Sequence, residues 1–156
     1  MSDYVTYIQT EALQQLIAIC RSGMPDEVCG LVAYRTDDPK RVVSAIMPLQ
    51  NAHPSPRHHF ELDPAEWVSA YFQLLRDGYS VAGIYHSHPN GPAFPSETDL
   101  AQRLWEPAPP KNKPSGSAEG LQMWIISLAD LEAPLVAVFA PSAQGAKRSV
   151  LAEVGI

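Results

Sequence analysis

The sequence predicts a mixed α/β domain with helices packed on a sheet, and three observations carry that expectation. Apolar runs of strand length recur at residues 28–34, 81–85, 121–127 and 135–140. Two other stretches, 10–23 and 63–78, repeat their apolar residues at helical spacing instead. Turn signals separate the two kinds, so each element has one apolar face to bury against a neighbouring layer.

In chain order, residues 4–8 alternate aromatic or β-branched side chains with others and suit a first strand. Thr10 is placed to cap a helix whose apolar positions are Leu13, Leu16, Ile17 and Cys20, and Gly23 is placed to end it. Cys20 is therefore expected in the core. After the turn Met24-Pro25-Asp26, Glu27 heads the apolar run 28–34. A carboxylate at the mouth of a buried strand is either a solvated strand end or part of a site. Cys29, two residues on, shares the face of Glu27, and its small size beside Gly30 suits packing. Thr36-Asp37-Asp38-Pro39 signals a turn, and 41–47 is the expected hairpin partner. A proline-bearing loop, 48–57, leads to the adjacent pair His58 and His59, which point to opposite sides of an extended backbone. Asp63-Pro64 opens a second helix with Trp67, Ala70, Tyr71, Leu74 and Leu75 on its apolar face, closed by Gly78.

The run 81–85 then delivers HSHPNGPAFPSETD, residues 86–99. If the strand continues, His86 and His88 project from one face and can converge on a single ion. Ser96-Glu97-Thr98-Asp99 resembles a helix start, predicted over 97–105, and adds a carboxylate from a second element. Two imidazoles and one carboxylate suit zinc with a fourth position left for water, the arrangement of a catalytic rather than a structural site. Ser-x-x-Asp is equally a variant capping box, in which Ser96 accepts from a backbone N–H and Asp99 reaches back. Residues 106–120, EPAPPKNKPSGSAEG, are expected to form a long loop at the rim of the site. Strands at 121–127 and 135–140 follow, and the tail from Ser142 is expected to be a weaker strand or loop.

Composition narrows the function classes. A chain of 156 residues fits one domain, 1–156. The formal charge of −6 argues against a nucleic-acid binder, whose phosphate-tracking surface is normally basic. Two cysteines are too few for a disulfide scaffold and are not spaced as a metal pair. No signal peptide or membrane span is legible, so the expected setting is cytoplasmic.

His-x-His, seven residues, Ser, two residues, Asp, together with the upstream Glu27 in Glu27-Val28-Cys29-Gly30-Leu31-Val32, resembles the JAMM (MPN-plus) metalloprotease family. The resemblance implies a curved mixed sheet flanked by helices, similar to the cytidine deaminases. It further implies one zinc ion per chain held by His86, His88 and Asp99, with Glu27 as general base and Ser96 as oxyanion donor. The implied reaction is (iso)peptide hydrolysis after the C-terminal glycine tail of a ubiquitin-like or sulfur-carrier protein. The loop 106–120 would order over that carrier. Against this stands a non-catalytic MPN-type binding module, which zinc content would decide. A zinc deaminase would need a Cys-x-x-Cys pair that the sequence lacks, and a Cys29–His86 hydrolase would be sensitive to alkylation rather than to chelation.

Overall fold

The computed structural model describes residues 5–96, 99, 121–142 and 145–155. Apart from Asp99, the expected helix 97–105 and loop 106–120 lie outside the described residues. Among the described residues, seven strands and two long helices follow in the order β1 (Val5–Gln9), α1 (Thr10–Ser22), β2 (Cys29–Arg35), β3 (Val43–Leu49), α2 (Pro64–Arg76), β4 (Tyr79–His88), β5 (Gln122–Ser127), β6 (Leu135–Ser142) and β7 (Gly145–Val154).

The strands form a mixed sheet in the order β1-β3-β2-β4-β5-β6-β7 that closes on itself, because β1 pairs in parallel with both β3 and β7. The expected α/β architecture is present, and the closure goes beyond it. The tail expected as a weak strand or loop is a ten-residue strand, paired with β6 along one side and β1 along the other. Lys147, Arg148 and Glu153 interrupt its apolar residues, and backbone pairing on both sides supplies what side-chain patterning does not.

Two further boundaries differ from expectation. Gln9, not Thr10, is the N-cap of α1, and it makes no side-chain capping bond. Strand β1 runs directly into the helix, and the Thr10 hydroxyl instead donates to Glu153 in β7 at 3.1 Å. Strand β3 extends through Pro48, which sits opposite Gly30. Proline is tolerated there because β1 meets β3 only at Ile8–Val43, so Pro48 has no second strand awaiting its N–H. By contrast α2 begins as its sequence predicts: Pro64 is its first residue and the Asp63 carboxylate accepts from the Glu66 N–H at 3.0 Å. Gly78 follows with φ +88°, a left-handed conformation that glycine adopts without strain.

Each helix covers its own core. One cluster packs Ile8, Leu16, Cys20, Val32, Tyr85 and Trp124 against α1. The other packs Cys29, Leu31, Phe60, Leu74 and Ile84 against α2. Ile84 belongs to the α2 side and Tyr85 to the α1 side, so alternation places His86 and His88 with Ile84. Gly30 makes the central pairing possible: a Cβ there would stand 2.4 Å from the Met47 carbonyl oxygen and 2.5 Å from the Tyr85 ring. No helix among the described residues is long and apolar enough to cross a membrane.

Candidate metal centre

The site lies where β4 ends, where β2 begins and where the loop after β4 folds back. Strand β4 continues through His86, Ser87 and His88, so both imidazoles emerge on one face as the spacing requires. Pro89 follows, which holds His88 in extended backbone and stops the pairing. Register then assembles the neighbours, with Cys29 of β2 opposite His86 and Ser127 of β5 beside His88.

The returning loop is pinned to the same strand ends. Leu128 N–H donates to the His88 carbonyl at 3.0 Å, and the Ser127 hydroxyl donates to the Gly91 carbonyl at 2.6 Å. Ala93 is buried with Met123, Ile125 and Phe139. These contacts deliver Ser96 and Asp99 to the histidines.

Both readings of Ser-x-x-Asp hold at once. The Asp99 N–H donates to Ser96 Oγ at 3.0 Å, and the Ser96 N–H donates to Asp99 Oδ2 at 2.9 Å, a reciprocal cap. The same Oδ2 lies 3.1 Å from His86 Nε2 and 3.1 Å from His88 Nε2, and the two Nε2 atoms are 3.1 Å apart. The three atoms form an equilateral triangle. A tetrahedron with corners 2.0–2.1 Å from its centre has edges of roughly 3.3 to 3.4 Å, so the triangle is close to one face of zinc coordination. Among the described residues this is the one group of His, Cys, Asp or Glu that could hold a metal ion.

Donor chemistry agrees with that fit. His88 Nδ1 lies 2.8 Å from the Pro92 carbonyl, which can only accept, so Nδ1 carries the proton and the Nε2 lone pair faces the triangle. His86 is wholly buried and stacked on Phe60, with ring centroids 4.3 Å apart. Burial holds His86 below the ordinary imidazole range, against the pull of its Asp99 hydrogen bond, and so keeps it neutral as a ligand must be. For His88, burial works against the charged form, but hydrogen bonds to Asp99 and Pro92 outweigh it and the pKa is raised. Burial likewise disfavours the Asp99 carboxylate, and bonds to both histidines outweigh it and leave the pKa far below its usual value.

Glu27 is 7% exposed, and its buried Oε1 has no hydrogen-bond partner among the described residues. Burial raises its pKa to about 7, partly opposed by His88 and reinforced by Asp99. The ambiguity of its sequence position is thereby resolved: Glu27 is not a solvated strand end. Its backbone is tightly held, with N–H to the Pro56 carbonyl at 2.7 Å, C=O to Asn51 Nδ2 at 2.8 Å, and the next N–H, that of Val28, to Ser87 Oγ at 3.0 Å. Ser96 Oγ uses one lone pair on Asp99 N–H, which leaves its own O–H able to donate.

The remaining candidates separate from the site. Burial pushes the Cys29 thiol up to about 12, which removes the thiolate a cysteine hydrolase needs, and Cys20 lies in the α1 core as expected. The His59 ring lies tilted against that of His53, centroids 4.8 Å apart, and neither His58 nor His59 belongs to the triangle. Sequence reasoning missed Asn51, Phe60, Ser87 and Pro92. All four act through long-range contacts or a backbone carbonyl, which no local pattern marks.

Comparison with known proteins matches residues 9–137 to the family of prokaryotic homologs of the JAB domain. The chain is 39% identical over 101 residues to a probable TtuB-protein conjugate cleaving protease of Thermus thermophilus, covering 65% of each chain. It is 35% identical over 102 residues to a desampylase of Haloferax volcanii, covering 63% of this chain and 72% of that one. The matches thus span about two thirds of the length of these relatives. The solution structure of protein DSY2949 from Desulfitobacterium hafniense superposes with a TM-score of 0.78 at 28% identity, covering 97% of this chain and 94% of that one.

Proposed function

The chain belongs to the family of prokaryotic homologs of the JAB domain, and from that premise we propose that it is a zinc-dependent peptidase or isopeptidase. Its proposed substrate is an amide bond after the C-terminal glycine tail of a ubiquitin-like or sulfur-carrier protein. The observation that carries this reading is the triangle of His86 Nε2, His88 Nε2 and Asp99 Oδ2, 3.1 Å on each side, with the buried Glu27 carboxylate close enough to feel both His88 and Asp99. The relatives named for cleaving a protein conjugate and for desampylation support the bond class.

In this proposal His86, His88 and Asp99 hold the ion and Glu27 does not. Zinc bound there supplies a water acidic enough to be deprotonated near neutral pH. Glu27, buried just before β2, would accept that proton and deliver it to the departing amine. The Ser96 O–H donates to the substrate carbonyl oxygen as negative charge develops on it. The glycine tail, having no side chains, can lie extended and bind through main-chain hydrogen bonds.

The test incubates candidate ubiquitin-like carriers, extended past their terminal glycines, with the protein with and without chelator, and reads the products by mass spectrometry. Cleavage after the glycine tail, abolished by chelator and restored by zinc, is expected. Glu27→Gln should keep about one zinc per chain and lose turnover, and Ser96→Ala should lose roughly 10²- to 10³-fold in rate. Zinc-free wild-type protein with no cleavage of any carrier would favour the non-catalytic binding module.

A further inference from the structure

Asn51 lies in the loop between β3 and α2, and its side chain uses its full hydrogen-bonding capacity. Nδ2 donates to the Glu27 carbonyl at 2.8 Å and to the His59 carbonyl at 2.9 Å. Oδ1 accepts from His53 N–H at 3.0 Å and Glu61 N–H at 3.1 Å. Two carbonyls on one side and two N–H groups on the other admit only one orientation of the amide.

These four bonds join the two halves of the site. His59 precedes Phe60, whose ring stacks on the ligand His86. Pro56 of the same loop accepts the Glu27 N–H. The loop is itself anchored just before Asn51, where the Gln50 N–H donates to the Glu66 carboxylate of α2. Among the described residues, in contrast, nothing hydrogen-bonds Glu27 Oε1. Its place relative to the histidines is therefore set through its backbone.

We propose that Asn51 is a positioning residue for Glu27, its Nδ2 holding the Glu27 backbone at the distance from the metal ligands that proton transfer requires. The proposal rests on the reading of Glu27 as general base. A displacement of about 1 Å in a reacting group can cost about 10²-fold in rate, and loss of the Nδ2 bond frees the residue that carries the carboxylate.

A double-mutant cycle tests this, using single-turnover cleavage of a ubiquitin-like carrier whose C-terminal diglycine is extended by a short peptide. Asn51→Ala is expected to lower the cleavage rate about 10²-fold, with KM unchanged and zinc content equal to wild type. In a Glu27→Gln background the same substitution should cost nothing further, because its effect passes through Glu27. Asn51→Asp keeps both accepted bonds but can donate neither to Glu27 nor to His59, and its second carboxylate oxygen would face those two carbonyls. It should lose as much rate as Asn51→Ala, and it stands in for that variant if alanine fails to fold. A wild-type rate in Asn51→Asp, an equal loss in both backgrounds, or loss of zinc would overturn the proposal. Near-normal turnover in Glu27→Gln alone would instead remove the base assignment on which it rests.

Discussion

Glu27 shows at the residue scale how one burial event serves chemistry at the expense of stability. Its folded-state pKa of about 7 lies above the ordinary value of 4.5, so the folded protein binds the proton more tightly than the unfolded chain does. The sign follows directly. Stability from the protonated carboxyl is present below about pH 4.5 and is lost as pH rises to about 7. In chelator-treated protein, Glu27→Gln should therefore melt above wild type at pH 8, by an amount on the order of 3 kcal/mol, with the gap closing near pH 4.5. Melting scans at the two pH values check this, and an equal gap at both would refute it. Asp99→Asn should lose zinc, read by elemental analysis, because it replaces an anionic ligand that both histidines face. The His86, His88 and Asp99 group was legible in the sequence because its spacing is fixed by one strand and one capping box, whereas Glu27 was open to a solvated strand end and entered through the family resemblance. Asn51 and Ser87 were not legible, since their partners lie 24 and 59 residues away.

At the scale of elements, the site depends on β2 and β4 lying close enough to bring Glu27 beside the histidines. Gly30 sets that approach, with the Met47 carbonyl and the Tyr85 ring both inside the space a Cβ would need. Gly30→Ala should destabilise the protein by about 3 kcal/mol, measured by urea unfolding, because a backbone carbonyl cannot yield as a flexible side chain would. The two helices and the central strands could be placed from periodicity alone. Thr10 was misassigned as a cap because a strand running directly into a helix leaves no turn residue to mark the junction. Strand β7 was legible only as a weaker strand or loop because Lys147, Arg148 and Glu153 interrupt its apolar residues.

At the scale of the whole molecule, β7 completes the sheet by pairing with β1 over five residue pairs, from Val5–Val150 to Gln9–Val154. A buried polar chain reinforces the seam: Thr6 and Ser149 hydroxyls meet at 2.7 Å, Gln122 donates to Thr6 at 3.0 Å, and Trp124 donates to Gln122 at 3.1 Å. A chain ending at Ser142 would leave β1 and β6 with unpaired edges and this network without its Ser149 member. It should show aggregation and loss of the cooperative thermal transition, followed by light scattering and circular dichroism. The seam also has a consequence for biosynthesis. The Thr6–Ser149 contact bridges 143 positions, so a nascent polypeptide cannot make it until the chain has left the ribosome beyond Ser149. The histidines of β4 are translated long before then, so any ion reaching them during synthesis would meet a protein in which β1 and β7 have yet to pair.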